Sequence, residues 1–109
     1  MQTRDIRDLV HFADDEVRRG TLFESGRLWS EVICLQGSQA VGPMVDTESD
    51  ALLTVLAGQV AAQIGHGRAR MAQWESALVT AGEELTVRNA SPEPSVVLLV
   101  VSPPPSAPD

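Results

Sequence analysis

The spacing of apolar residues changes near Thr21. Before it, Ile6, Leu9, Val10 and Ala13 recur at helical spacing, which predicts a short one-sided helix that is stable only when its apolar face lies on something else. A second helical turn is predicted from Asp14. Asp14 would cap it, Asp15 and Glu16 lie in its first turn, Arg18 and Arg19 in its last, and Gly20 would close it, so its charges complement the helix dipole. From Thr21 onward the period changes to strands and turns. Leu28 to Leu35, Leu52 to Leu56, Gln59 to Ile64, Ala77 to Thr80, Leu85 to Asn89 and Val96 to Val101 are short apolar or alternating runs, most bounded by Gly, Pro, Asn or Ser. Alternation is clearest where Val60, Ala62 and Ile64 share one face and where Leu85 and Val87 share another, leaving Glu84, Thr86 and Arg88 outside. Gly65-His66-Gly67 reads as a hairpin tip. Six short strands without intervening helices predict an all-β sandwich or barrel.

Composition narrows the class. A chain of 109 residues allows one domain, and a 43% hydrophobic share with 21% charged residues is enough to build a core. The longest apolar run, Val96 to Val101, falls far short of the roughly 18–20 residues of a membrane span, and the charged start Met1-Gln2-Thr3-Arg4-Asp5 is unlike a secretory signal. A soluble, cytoplasmic protein without a membrane partner is expected. The net charge is -7, every basic residue is arginine, and the arginines are scattered along the sequence, so nucleic acid is not an expected partner. Cys34 is the only cysteine, which excludes an internal disulfide and a Cys-based zinc cluster. The proline-rich end, Ser102 to Asp109, is expected to be extended, mobile and unpaired.

Two segments carry a family signature. Met44 to Gly58, followed by Gln59-Val60, resembles the first motif of the cupin family, Gly-x5-His-x-His-x4-Glu-x6-Gly, and Trp74 to Asn89 resembles the second, Gly-x5-Pro-x-Gly-x2-His-x3-Asn. Gly58, Gly82 and Asn89 match in register, and Gly37 stands one residue out of step with the opening glycine. The glycines suit turn conformations closed to other residues, and Asn89 can tie its amide to nearby backbone. The resemblance spans roughly Ser25 to Pro103. It implies a single double-stranded β-helix, the cupin jelly-roll barrel, with a short N-terminal helical segment: a preface over 1–24, the barrel over 25–103 and a flexible tail over 104–109.

The departures bear on function. In metal-binding cupins the motif His, Glu and His residues converge on one ion inside the barrel, and the corresponding positions here hold Met44, Asp46, Ala51 and Leu85. Ala and Leu have no donor and Met is a soft ligand, so no metal and no other cofactor is expected. Trp74 and Thr80 replace the second motif's Gly and Pro. Alternation places Met44, Ala51, Leu53, Val55, Leu85 and Val87 around the interior, as a packed core or a dry pocket, and the resemblance implies that Asp46 joins them.

Asp46 is the one interior carboxylate this reading offers, either as an acid or base raised by desolvation or as a turn residue beside Thr47, Glu48, Ser49 and Asp50. His66 is expected to be exposed at its hairpin tip, His11 to pack or cap, and Cys34 to be an inert core residue. Trp29 and Trp74 are candidates for the floor of a pocket. The expected function is a metal-free, non-catalytic binder of a small apolar ligand or a structural module. The alternative is a metal-independent isomerase, epimerase or cyclase using Asp46, against which stands the lack of an opposed acid or base and of any tyrosine. A homodimer is expected because Val96 to Val101 is apolar on both faces.

Overall fold

Alternating β-branched and aliphatic residues bury one side chain in two when they pair, and around strands of that kind the chain folds into nine antiparallel strands. In the computed structural model, which describes residues 1–105, these are β1 (Arg18–Glu24), β2 (Trp29–Leu35), β3 (Ala40–Met44), β4 (Asp50–Ala57), β5 (Gln59–Ile64), β6 (Gly67–Ala72), β7 (Ser76–Val79), β8 (Leu85–Arg88) and β9 (Ser95–Ser102). They form a five-stranded sheet ordered β1-β2-β9-β4-β7 and a four-stranded sheet ordered β3-β8-β5-β6. All pairings are antiparallel. No helix of the described residues is long and apolar enough to cross a membrane.

The inward faces meet in one core. Ile33 and Leu35 from β2, Leu53 and Val55 from β4, Val60 and Ala62 from β5, Val87 from β8 and Val97 and Leu99 from β9 are buried together. Each fully buried Val, Leu or Ile contributes about 1.5–3 kcal/mol. A second cluster lies on the outside of the five-stranded sheet, where Leu22, Val32, Cys34 and Val96 are covered by Ile6, Leu9, Val10 and Phe12. The N-terminal segment is thus a lid on the outer face of β1, β2 and β9.

The N-terminal expectation changes in detail. The predicted first helix is a single 3-10 turn, Ile6–Leu9, capped by the Asp5 carboxylate, which accepts from Arg7 N at 2.9 Å. The Arg7 guanidinium holds the Asp5 carboxyl down at about 2. The second helical turn is overturned: Arg18, Arg19 and Gly20 are strand residues paired with Cys34, Ile33 and Val32. A turn that short gains little from its own hydrogen bonds, whereas β2 offers a complete ladder to pair with. Gln39 secures the connection, its Nε2 donating to Ala13 O at 2.7 Å and Glu16 O at 3.1 Å.

Three strands escaped the periodicity. Within β1 only Leu22 is buried, β3 contains Gly42 and Pro43 with a register shift between Val41 and Met44, and β6 buries only Met71. Edge strands with little burial carry little alternation. The hairpin joining β5 to β6 turns at Gly65-His66, with Ile64 paired to Gly67. Ser102, expected in an unpaired tail, instead closes β9 opposite Asp50. Ser106 to Asp109, the end of the predicted mobile tail, lie outside the described residues.

The matched motif residues hold turns and segment junctions in place. Gly58 has φ +76°, and a Cβ there would stand 2.5 Å from Pro94 O, so the turn from β4 to β5 requires glycine. Asn89, 1% exposed, donates from Nδ2 to Leu35 O at 3.0 Å and to Glu93 O at 2.7 Å, while its Oδ1 accepts from Ser91 N at 3.0 Å.

Candidate functional site

One end of the space between the sheets is not filled. A cavity of about 440 Å³ opens where the β3–β4 connection, the β7–β8 connection and Pro105 meet. Its walls are largely apolar. Trp29 and Ala51 stand on it beside Val79, Leu85, Leu99 and Val101, with Met44 set opposite Leu85 in the β3–β8 ladder. Its rim is polar, with Asp46, Thr47, Ser49, Thr80 and Glu83.

Four of the residues expected in the interior, Met44, Asp46, Ala51 and Leu85, are brought together on this cavity. Leu53, Val55 and Val87 lie away from it, wholly buried in the core. The interior therefore tapers from a packed end to an open one.

Asp46 is half-buried and serves the loop. Its Oδ1 accepts from Glu48 N at 2.8 Å, and its backbone carbonyl accepts from Gly82 N at 2.9 Å, which ties the two mouth loops together. Glu83 has a similar role, accepting from Thr80 N at 2.9 Å. Ser49 Oγ donates to Pro103 O at 2.6 Å and fixes the end of β9 against the mouth.

The sequence reading missed the polar feature at the inner wall. Alternation in β2 puts Glu31 on the same face as Trp29, Ile33 and Leu35, and its carboxylate is only 5% exposed. Arg19 reaches it from β1 with both Nε, at 3.1 Å, and Nη2. The same Nη2 lies 3.6 Å from Met44 Sδ, so the guanidinium forms part of the cavity wall with the carboxylate behind it. Asp46 is therefore not the only carboxylate of the interior. The signal was one glutamate among apolar residues on an inward face, but its partner belonged to a segment read as helix.

The other candidates lie elsewhere. Trp74 is 74% exposed in the β6–β7 turn and does not line the cavity. His66 is exposed, and His11 is exposed with Nε2 3.1 Å from Asp8 O. Cys34 is buried on the outer side of β2, where burial pushes its thiol up and Leu9 O accepts from Sγ at 3.7 Å.

The cavity residues do not fit a bound transition metal. Where the resemblance places ligands they supply one thioether, already in contact with Arg19, one carboxylate engaged by Glu48 N, and two side chains with no donor. Among the described residues no group of three or more His, Cys, Asp or Glu is placed to hold an ion. What the cavity offers is apolar contact, one arginine at the wall and hydrogen-bonding groups at the rim.

No protein-family model matches the chain, and no curated protein matches it. Solved structures do. The TT1209 protein of Thermus thermophilus is 28% identical and superposes with a TM-score of 0.91, over 96% of this chain and 100% of that one. An uncharacterized conserved protein with a double-stranded β-helix domain from Klebsiella pneumoniae is 20% identical, with a TM-score of 0.87 over 94% of this chain and 90% of that one. An RmlC-like cupin protein from Desulfovibrio desulfuricans is 17% identical, with a TM-score of 0.85 over 95% and 98% of the two chains.

Proposed function

We propose that this small cupin-fold domain, a double-stranded β-helix, is a metal-free binding protein that holds a small, mostly apolar molecule between its sheets and does not transform it. The observation that carries this reading is the apolar wall of Met44, Ala51, Leu85, Leu99 and Val101 at the place where the resemblance would put a metal. A cavity of about 440 Å³ is large enough for a small organic ligand. Burial there supplies about 25 cal/mol per Å² of apolar surface, and the rim adds orientation.

The catalytic alternative needs an acid and a base facing one substrate. Asp46 is engaged by the backbone of its own loop, and Glu31 is held behind Arg19. One carboxylate oxygen of each is thus already engaged, which disfavours either as the base of an opposed acid–base pair.

Titration with N-phenyl-1-naphthylamine, a neutral apolar dye whose emission rises on leaving water, tests the reading. Saturable binding is expected, and Leu85→Trp, which fills the cavity, should abolish it while the fold survives. A loss of several kcal/mol of stability in Leu85→Trp would show an interior without room and favour a structural module. A metal-free isomerase, epimerase or cyclase activity falling about a hundredfold or more in Asp46→Asn would overturn the non-catalytic reading.

A further inference from the structure

The four-stranded sheet turns its other face to solvent, and that face is basic although the chain carries a net charge of -7. Cross-strand register sets it out in two rows. In the first, Ala61 on β5 pairs with Arg70 on β6 and with Arg88 on β8, and Arg88 pairs with Ala40 on β3. In the second, Gln63 pairs with Arg68 on one side and Thr86 on the other. Together these residues line a groove of about 560 Å³.

Adjacent strands lie about 4.8 Å apart, so the backbones of Arg70 and Arg88 are about 10 Å apart with alanine between them. Arg68 and Arg70 are two residues apart on one strand and share a face. Three guanidinium forks thus surround a floor of small side chains that lets a ligand approach the sheet closely.

These arginines are also uncommitted. Arg7, Arg18 and Arg19 are in ion pairs, and Arg4 donates to Thr21 O and Leu22 O. Among the described residues Arg68, Arg70 and Arg88 take part in no ion pair and no side-chain hydrogen bond. Three like charges on one face repel each other, and an anion relieves that repulsion.

We propose that this face is a binding site for a small polyanion, a molecule carrying two or more phosphate or carboxylate groups, bridged between Arg70 and Arg88 over Ala61 and held by Arg68. The chemistry is the planar fork of arginine meeting paired oxygens. A nucleic acid fits the face poorly, because no aromatic side chain lines it to stack on a base and the rest of the chain is acidic. The site is separate from the cavity between the sheets, and the two share no lining residue.

Calorimetric titration of the full chain with inorganic pyrophosphate and with citrate, at a salt concentration of about 50 mM, tests the proposal. Binding of either is expected, and the stronger of the two identifies phosphate or carboxylate as the preferred group. Arg70→Gln and Arg88→Gln should each weaken it about tenfold or more, whereas Arg27→Gln, an exposed arginine outside the groove, should leave it unchanged. An unaltered thermal transition in the groove variants checks that the fold is intact. Absence of binding at millimolar pyrophosphate and citrate would overturn the proposal, whether or not an acidic peptide binds. An equal loss in Arg27→Gln would also overturn it, as diffuse attraction.

Discussion

At the scale of single residues, Asn89 and the Arg19–Glu31 pair bring polar groups into the interior with partners of their own. Asn89 satisfies carbonyls from two separate segments and accepts from a third point in its own turn, so its amide replaces backbone pairing where β8 ends. The Arg19–Glu31 pair brings a charge into an apolar wall and neutralises it there. Truncating one partner strands the other, while removing both leaves nothing to desolvate. Arg19→Met should therefore cost about 2–3 kcal/mol, toward the low side for a buried pair because the Arg19 side chain is 39% exposed. Adding Glu31→Leu should restore most of that loss. Denaturant unfolding of the two variants checks it, and a double variant as unstable as the single would show that the pair contributes more than mutual neutralisation.

At the scale of elements, the contest between helix and strand in the N-terminal region went to the strand. Arg18 to Gly20 carry helix-capping chemistry in sequence, but the free edge of β2 gives them a ladder, and the segment before them becomes a cover for Val32, Cys34 and Val96. Leu9 is central to that cover, since its side chain lies under Gly20 and its carbonyl accepts from Cys34 Sγ. Leu9→Asp should destabilise the protein by about 1–2 kcal/mol. It should also raise the labelling rate of Cys34 by a thiol reagent about tenfold by favouring local opening. An unchanged labelling rate would show that the cover does not govern access to the outer cluster.

At the scale of the whole molecule, the outer face of β9 is only partly accounted for by the chain itself. Val96 and Leu98 lie in the cluster beneath the N-terminal segment, but the row continues from the half-buried Val100 to Leu52 and Leu78, which are exposed, Leu78 at 67% on the edge strand β7. We propose that a second copy covers this row, as a homodimer through the outer face of β9, β4 and β7. Sedimentation at micromolar concentration should give a dimer, and Leu78→Glu should give a folded monomer. A monomeric native chain would exclude the pairing.

The sequence by itself determined the all-β class, the inward face of each well-alternating strand, and the apolar or weakly donating character of Met44, Ala51 and Leu85. These follow from side-chain chemistry and from a period of two, which are local properties. The edge strands β1, β3 and β6 were illegible because a strand that buries little need not alternate. Only the tertiary structure decided which end of the interior stays open, that Glu31 meets Arg19, and that Arg68, Arg70 and Arg88 share one face. The physical reason is that cross-strand register sets distances between residues far apart in the chain. Arginines that look scattered along the sequence become neighbours only once β5 pairs with β6 on one side and β8 on the other.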